Sequence, residues 1–249
     1  ALHPELAARI VSLRPEIHAR LAAKGLDGAV HRFDPETFNP AVPLGGNLLY
    51  ASPARHISQQ RLAGDRVFIK MLCDQGLDVE GLDIAQAVID TLRHTFGRDG
   101  TSHPLFRKLG IDEDVYLRLC DIVATRARKG DAGVPTQDRA LLLTVPFLLT
   151  AEQIGSSFPE EYKRKILEIR HERAGQLRDL AGDMFVPISP DTYLPRLTVT
   201  ENAIFGRISM TASARVEQIE REVAEVLIEH DLHRAAAAII CSSVASGRP

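Results

Sequence analysis

One stretch of this chain occurs twice. Residues 35–51, PETFNPAVPLGGNLLYA, recur at 190–206 as PDTYLPRLTVTENAIFG, at a constant offset of 155 residues (190 − 35 = 155). The offset continues without a gap into the next helical pattern, where Leu72 matches Leu227. A period of this length indicates two related structural units, whereas repeats of about 20 to 50 residues would indicate a solenoid.

Each copy is a proline-bounded loop that leads into a helix. Pro40 and Pro195 favour extended backbone in the residues before them, and Asn47 and Asn202 then lie in an apolar helical run. The second copy also contains a capping box at 198–201, in which a threonine hydroxyl and a glutamate carboxylate bind each other's backbone amides. An alternative interpretation is that two loop-to-helix junctions converged on the same turn chemistry.

The chain as a whole is predicted to be mainly helical, because apolar residues recur at helical spacing over most of its length. The predicted helices are 4–12, 15–24, 44–51, 55–75, 82–96, 112–129, 136–153, 159–180 and 213–232. Short β patterns precede the two loops, at 29–33 and 184–188, and we expect these two segments to pair. The predicted fold class is therefore a mainly α, helical bundle-like domain with two short β segments and an internal two-copy loop-plus-helix repeat.

The repeat also suggests how the chain is divided. We predict a first repeat unit at 1–100 that contains the loop 34–43, a connecting helical segment at 101–182, and a second repeat unit at 183–249. The first residue is alanine rather than methionine, and the helical pattern stops abruptly near the end. Both features predict that the chain is a piece of a longer protein.

Charge and composition exclude several classes of function. The 30 basic and 33 acidic residues are interspersed and leave a net charge of −3, so no one-signed surface exists to bind nucleic acid nonspecifically. The longest apolar stretch, 141–150, contains a proline and is shorter than the ~20 residues that a membrane span needs. Cys73, Cys120 and Cys241 are far apart, which indicates a reducing compartment, and we expect all three to be buried.

The second copy resembles a known pattern. Leu-Thr-Val-Thr-Glu-Asn at 197–202, followed by Phe205-Gly206, resembles the segment after the Q-loop in ATP-binding cassette (ABC) transporter ATPases. In that family a strand ending in Val-Pro leads into the Q-loop, and Val186-Pro187 has that position here. The resemblance covers residues 183–233 directly, and residues 29–77 resemble it as a weaker first copy.

The resemblance implies site residues by their position. Ser189, and Asp34 in the first copy, stand where the Q-loop glutamine of the family would fall. Glu201 and Asn202, with Asn47 in the first copy, belong to the motif that opens the helical subdomain. Serine and aspartate could reach a metal or a water molecule, but both also favour turns for local reasons.

The motifs that are missing from the chain weigh against catalysis. The sequence has no Walker A loop, no Walker B strand ending in an Asp-Glu pair, and no LSGGQ-like signature. We therefore predict no catalytic residue, metal site or cofactor in this chain, and ATP and Mg²⁺ would belong to the presumed full-length protein.

The function implied by the resemblance is a coupling role. The chain would be the helical, partner-contacting segment of an ABC-type transporter ATPase, which couples ATP-driven motion to a membrane permease and is not catalytic alone. The implied partners are the transmembrane permease domain or subunit and the remainder of the ATPase, with no nucleic acid. The implied location is the cytoplasm, including a peripheral position at the inner membrane through the permease.

Two alternatives remain open at this point. A free-standing, all-helical protein-interaction or regulatory module explains the lack of catalytic motifs without any relation to ATPases. A metal-dependent hydrolase would centre on His230 and His233, which are three residues apart. The simpler explanation of these two histidines is that they are cations complementing the dipole at a helix C-terminus.

Two further features have local explanations. The alternating charges of 160–173, Arg170 included, predict an exposed ladder of ion pairs on one helix. The Gly45-Gly46 pair has no phosphate-binding context, and we expect a tight turn or close packing there.

Overall fold

A computed structural model describes residues 4–98, 100–107, 109–155 and 158–245 of the chain. The α-helices are α1 (Pro4–Ser12), α2 (Arg14–Ala23), α3 (Leu44–Leu49), α4 (Gln59–Gly64), α5 (Arg66–Asp74), α6 (Asp78–Phe96), α7 (Pro104–Arg107), α8 (Glu113–Lys129), α9 (Thr136–Leu148), α10 (Ala151–Ile154), α11 (Glu160–Ala181), α12 (Val199–Ile204), α13 (Arg215–Glu229) and α14 (His233–Ala245). The strands are β1 (Val30–Arg32), β2 (Ala51–Pro53), β3 (Phe185–Pro187) and β4 (Gly206–Ile208). The predicted mainly α class with short β segments is confirmed.

The strands form two small two-stranded sheets. β1 lies antiparallel to β4, with Val30 opposite Ile208 and Arg32 opposite Gly206, and β2 pairs with β3. The prediction that 29–33 and 184–188 pair with each other is therefore wrong. Each of these segments instead pairs with the strand that follows the short helix of the other copy.

A glycine explains why β4 is the partner of β1. A Cβ atom at Gly206 would lie 2.6 Å from the carbonyl oxygen of His31 and 2.9 Å from the Cα of Arg32, so only a residue without a side chain allows the strands to approach this closely. Phe205, the residue before it, has a left-handed backbone conformation (φ 46°) that turns the chain out of α12 and into β4. Phe205 and Gly206 of the second copy therefore allow β4 to pair with β1.

The chain divides into two compact units. Unit 1 contains residues 1–41 and 186–249, and unit 2 contains residues 42–185. Unit 1 thus combines the helices and strand before the first repeated loop with the helices and strand after the second. Unit 1 contains all of the second copy, 190–206, and residues 35–41 of the first, whereas unit 2 contains residues 42–51 of the first copy.

The core of unit 1 is built by amphipathic helices. Ile10 of α1 and Ile17 of α2 are almost fully buried and belong to one apolar cluster with Ile219 and Val223 of α13. The apolar residues of α13 recur at helical spacing, which places them on one face of the helix, as the sequence predicts. Leu232 and Ala235, at the start of α14, complete this cluster.

The core of unit 2 lies around α9, which packs against α4 and α6. The rings of Phe68 and Phe147 meet edge to face, with their centroids 6.1 Å apart. Tyr162 of α11 is buried, and its hydroxyl donates a 2.8 Å hydrogen bond to the carbonyl oxygen of Leu77. α11 is therefore fixed to the core by a polar contact as well as by apolar packing.

Two predicted helices are each broken into two by a capping side chain. The segment 55–75 divides at Asp65, whose carboxylate accepts a 2.9 Å hydrogen bond from the amide of Phe68 and so starts α5. The segment 136–153 ends its first helix at Leu148, and Thr150 then starts α10 with a capping box. Helical periodicity continues across both breaks, which is why the sequence pattern did not reveal them.

The cysteines are only partly as predicted. Cys120 is buried, but Cys73 and Cys241 are exposed, so the expectation that all three are buried is wrong. Apart from the few positions that the structure leaves undescribed, none of the helices is both long and apolar enough to span a membrane.

Alkaline pH is expected to weaken the packing around Tyr116. This side chain is fully buried in α8, and its hydroxyl donates a 2.8 Å hydrogen bond to the carbonyl oxygen of Gly97. Burial, with a smaller contribution from Cys120, raises the pKa of Tyr116 to about 12. A phenol in the unfolded chain ionises near pH ~10, so between about pH 10 and 12 the unfolded state loses a proton that the folded state keeps. The free energy of unfolding should fall as the pH rises through this window.

Urea unfolding at about pH 9 and about pH 11 will measure this effect. The Tyr116→Phe variant should lose less stability between the two pH values than the unmodified protein, because it has no phenol to ionise at this position. An identical loss in both proteins would show that Tyr116 does not contribute to the pH dependence.

Candidate functional site

The two Q-loop-like residues start matching turns. The carboxylate of Asp34 accepts a 2.8 Å hydrogen bond from the amide of Glu36, and the hydroxyl of Ser189 accepts one of 3.4 Å from the amide of Asp191. In each copy the carbonyl oxygen of the same residue also accepts a bond from the amide three positions later. Both side chains therefore have the local, turn-forming role that their residue types favour.

The motif asparagines bind backbone carbonyl groups at the bases of the two loops. Asn202 is fully buried, and its amide nitrogen lies 2.9 to 3.2 Å from the carbonyl oxygens of Leu194, Leu197 and Thr198. Its side-chain oxygen accepts a 2.7 Å hydrogen bond from the amide of Leu194. One side chain thus connects the start of α12 to the loop eight residues earlier.

Asn47 makes the equivalent contacts in unit 2. Its amide nitrogen lies 2.9 Å from the carbonyl oxygen of Val42 and 3.4 Å from that of Pro43. These two acceptors correspond to Leu197 and Thr198 at the repeat offset of 155. The repeat is therefore a repeat of hydrogen bonds as well as of residue types.

Glu201 has two structural partners. Its carboxylate accepts a 2.8 Å hydrogen bond from the amide of Thr198, whose hydroxyl accepts one of 3.1 Å from the amide of Glu201, which confirms the predicted capping box. The other carboxylate oxygen is paired with Arg207 of β4. Glu201 therefore fixes both the start of α12 and the strand that follows it.

Close packing explains the glycine pair of the first copy. A Cβ atom would lie 3.2 Å from the carbonyl oxygen of Phe147 if added to Gly45, and 2.7 Å from the Cγ1 of Val42 if added to Gly46. The expectation of close packing is confirmed. α3 needs these glycines to lie against α9 and its own loop.

A buried arginine holds the second loop, and the sequence analysis missed it. Arg14 of α2 is only 5% exposed, and its guanidinium donates hydrogen bonds to the carbonyl oxygens of Asn202 at 2.9 Å, Thr192 at 3.0 Å and Pro190. The guanidinium also lies over the ring of Phe205, 4.5 Å from its centroid. Burial lowers the pKa of Arg14 from its ordinary value, although the nearby carboxylate of Asp191 partly offsets this.

Arg170 has the matching position in unit 2. It is also 5% exposed, donates to the carbonyl oxygen of Asn47 at 3.4 Å, and lies over the ring of Tyr50, 5.5 Å from its centroid. The prediction that Arg170 belongs to an exposed ladder of ion pairs is therefore wrong. The ladder does exist around it, for example in the pair between Lys163 and Glu160. The two arginines are 156 residues apart (170 − 14 = 156), one more than the repeat offset, so matching the copies by offset does not align them.

A second basic side chain binds the last carbonyl of each short helix. The Nε2 of His18 lies 2.9 Å from the carbonyl oxygen of Ile204, and Arg178 donates a 2.8 Å hydrogen bond to that of Leu49. Ile204 and Leu49 are equivalent at the repeat offset. Burial lowers the pKa of His18, and a neutral ring with its proton on Nε2 satisfies this carbonyl. Donors of this kind supply the hydrogen bonds that a helix C-terminus lacks.

The tips of the loops remain accessible although their bases are held. Residues 34–37 are exposed in the first loop, and residues 190–192 are exposed in the second. A shallow cavity of about 490 Å³ lies beside the first loop and is lined by Asp34, His31 and Arg32, among others. Arg32 is paired with Asp27, another lining residue, so this cavity carries both signs of charge.

The histidines considered for a metal site have other surroundings. The Nε2 of His230 lies 2.8 Å from the carboxylate of Glu16, and His230 ends α13 while His233 starts α14. Within the residues that the structure describes, no three histidine, cysteine, aspartate or glutamate side chains are grouped as metal ligands would be. His230 thus lies at a helix C-terminus, as the simpler explanation requires, whereas His233 lies at a helix N-terminus, so that explanation is wrong for His233.

Comparison with known proteins leaves the chain without an assigned relative. No protein-family model, curated protein or solved structure matches it. The matched geometry of the two loops is therefore the main basis for a functional proposal.

Proposed function

We propose that this chain is the helical, partner-contacting segment of an ABC-type transporter ATPase, which couples ATP-driven motion to a membrane permease and is not catalytic alone. The observation that carries the proposal is the agreement between the two loops. Each combines a side-chain turn at Asp34 or Ser189 with an asparagine bound to the equivalent loop carbonyls at its base. This geometry occurs at the residues that resemble the segment after the Q-loop.

A coupling segment must be rigid, so that a displacement at one end moves the other end as well. The contacts at the loop bases support this requirement. Asn202 and Arg14 join the second loop, α12 and α2 through buried hydrogen bonds. Because buried polar groups are costly to leave unpaired, these contacts resist separation of the loop from its helices. A force on the exposed loop tip would therefore move the loop and the helix behind it together.

The motif side chains also support a mechanical role over a catalytic one. Asn202, Glu201 and Ser189 are each engaged by backbone groups of their own loop or helix. The sequence contains no phosphate-binding loop. We expect the purified chain to bind no ATP tightly, and measurable ATP turnover by it would contradict the proposal.

Cysteine cross-linking from the loop tips tests the coupling role. Cysteines would replace Thr37 and Thr192 one at a time, in full-length protein in which the exposed Cys73 and Cys241 are serine. In membranes from cells expressing the protein, a bifunctional thiol reagent should join each loop tip to an integral membrane protein. The yield of this product should change between ATP-bound and nucleotide-free conditions.

A matched control uses Thr91→Cys, which places the thiol on an exposed position of α6 that belongs to neither loop. This position should give little of the membrane product. If the loop-tip cysteines react only with soluble proteins, the free-standing interaction module replaces the coupling role. If Thr91→Cys gives the same product as the loop tips, the loops are not the contact surface.

A further inference from the structure

A concave groove crosses one face of unit 2. It has a volume of about 700 Å³ and lies where α4 and α5 meet α8 and α9. Its apolar lining residues, here called the floor, are Ala63, Ile69, Ala140 and Leu141, and the neutral polar side chains of Gln60, Thr136 and Gln137 also line it. Volumes of about 300 to 1,000 Å³ with mainly apolar lining are typical of sites for small organic ligands.

The rim of the groove is basic. Arg66, Lys70 and Arg118 line it, and no carboxylate is among its described lining residues. Arg66 makes no ion pair or side-chain hydrogen bond with the described part of the chain. The groove therefore presents positive charge beside an apolar floor.

The other two cations have partners that a ligand could replace. Lys70 is paired with Asp74 on its own helix at 2.7 Å, and Arg118 is paired with Asp138 at 2.7 Å. The side chain of Lys70 is 73% exposed and that of Arg118 is 56% exposed. Exposed ion pairs of this kind contribute little to stability, so an anionic ligand can replace their carboxylates at little cost.

We propose that this groove binds an amphipathic anion, namely an aliphatic chain with a carboxylate head group. The chain would lie on Ile69 and Leu141, where its burial removes apolar surface from water. The carboxylate would lie at the rim, where Arg66 and Arg118 donate charge-assisted hydrogen bonds. The volume of the groove, about 700 Å³, lies within the range of sites for small organic ligands. This site does not depend on the proposed coupling role.

Isothermal titration with laurate, at concentrations below its micelle range, tests the proposal on the whole chain. Two comparison ligands separate the contributions of the head group and the chain. Dodecyltrimethylammonium has the same chain with the opposite charge, and butyrate has the carboxylate without the long chain. Saturable binding of laurate is expected, with at least about tenfold weaker binding of both comparison ligands. Equal binding of laurate and dodecyltrimethylammonium would overturn the proposal.

Two variants locate the site. The double variant Arg66→Gln with Arg118→Gln removes the two rim cations that would bind the carboxylate, and Ala63→Glu places a carboxylate at the floor. Each should weaken laurate binding about tenfold or more, because the first removes attraction and the second adds repulsion. The double variant Arg164→Gln with Arg173→Gln, at two exposed positions of α11, is the matched control and should bind laurate normally.

Folding must be checked in each variant by its urea unfolding midpoint. Unchanged laurate binding in folded Arg66→Gln/Arg118→Gln protein would show that laurate binds elsewhere and would overturn the proposal. Binding of an acidic amphipathic peptide, with no binding of laurate, would also overturn it and identify the groove as a protein-docking surface instead.

Discussion

An Asn202→Leu variant will unfold at a much lower urea concentration than the unmodified protein. Leucine fills a similar volume but leaves the amide of Leu194 and the carbonyl oxygens bound by the asparagine without their partner, inside a fully buried site. Each unsatisfied buried group costs about 1 to 3 kcal/mol. We therefore expect the free energy of unfolding to fall by about 3 to 5 kcal/mol, measured by urea titration at neutral pH.

Two comparison variants test whether the loss of stability comes from the hydrogen bonds of Asn202. Asn202→Asp keeps an oxygen for the amide of Leu194 but turns a second oxygen toward carbonyl groups, so it should also be strongly destabilising. Glu217→Gln, at an exposed position in the first turn of α13, should change the free energy of unfolding by less than about 0.5 kcal/mol. A loss below about 1 kcal/mol for Asn202→Leu would mean that the loop does not depend on this side chain.

Replacement of Arg14 by methionine should have the next largest effect. Methionine is similarly long and flexible, but it donates no hydrogen bond to the carbonyl oxygens of Asn202, Thr192 and Pro190. The contact of the guanidinium with the ring of Phe205 is lost as well. We expect a loss of about 2 to 4 kcal/mol in the free energy of unfolding.

A second replacement of Arg14 tests whether the loop depends on the charge of the side chain or on its shape. Arg14→Lys keeps a positive charge but lacks the planar fork that reaches several carbonyls at once. It should be intermediate between the unmodified protein and Arg14→Met. Arg215→Met, at an exposed position of α13, is the matched control and should have little effect. Full stability of Arg14→Lys would show that charge alone, and not the fork, holds the loop.

Local features of the fold were predictable because their signals lie close together in the sequence. The capping box of Thr198 and Glu201 lies within four residues, and the close packing at Gly45-Gly46 follows from residue type. The core face of α13 follows from the spacing of its apolar residues. Each of these features can be predicted without knowing which distant residues it contacts.

Features that depend on distant partners were not predictable in the same way. β1 and β3 have equivalent positions before the two loops, but the strand that pairs with each of them follows the short helix of the other copy. The glycine at position 206, directly after an aromatic residue, was the signal available for the pairing of β1. The sequence pattern of α11 gave Arg170 the same charge alternation as its exposed neighbours, and only the packing of α11 against α3 shows that it is buried.

The arginine at the base of each loop comes from the other half of the chain. Arg14, on the helix that precedes the first loop, binds carbonyl oxygens of the second loop and of α12. Arg170, on the helix that precedes the second loop, binds the carbonyl oxygen of Asn47 after the first. Cleavage of the chain between the two copies would therefore leave two fragments, neither of which contains both a loop and the arginine that binds it.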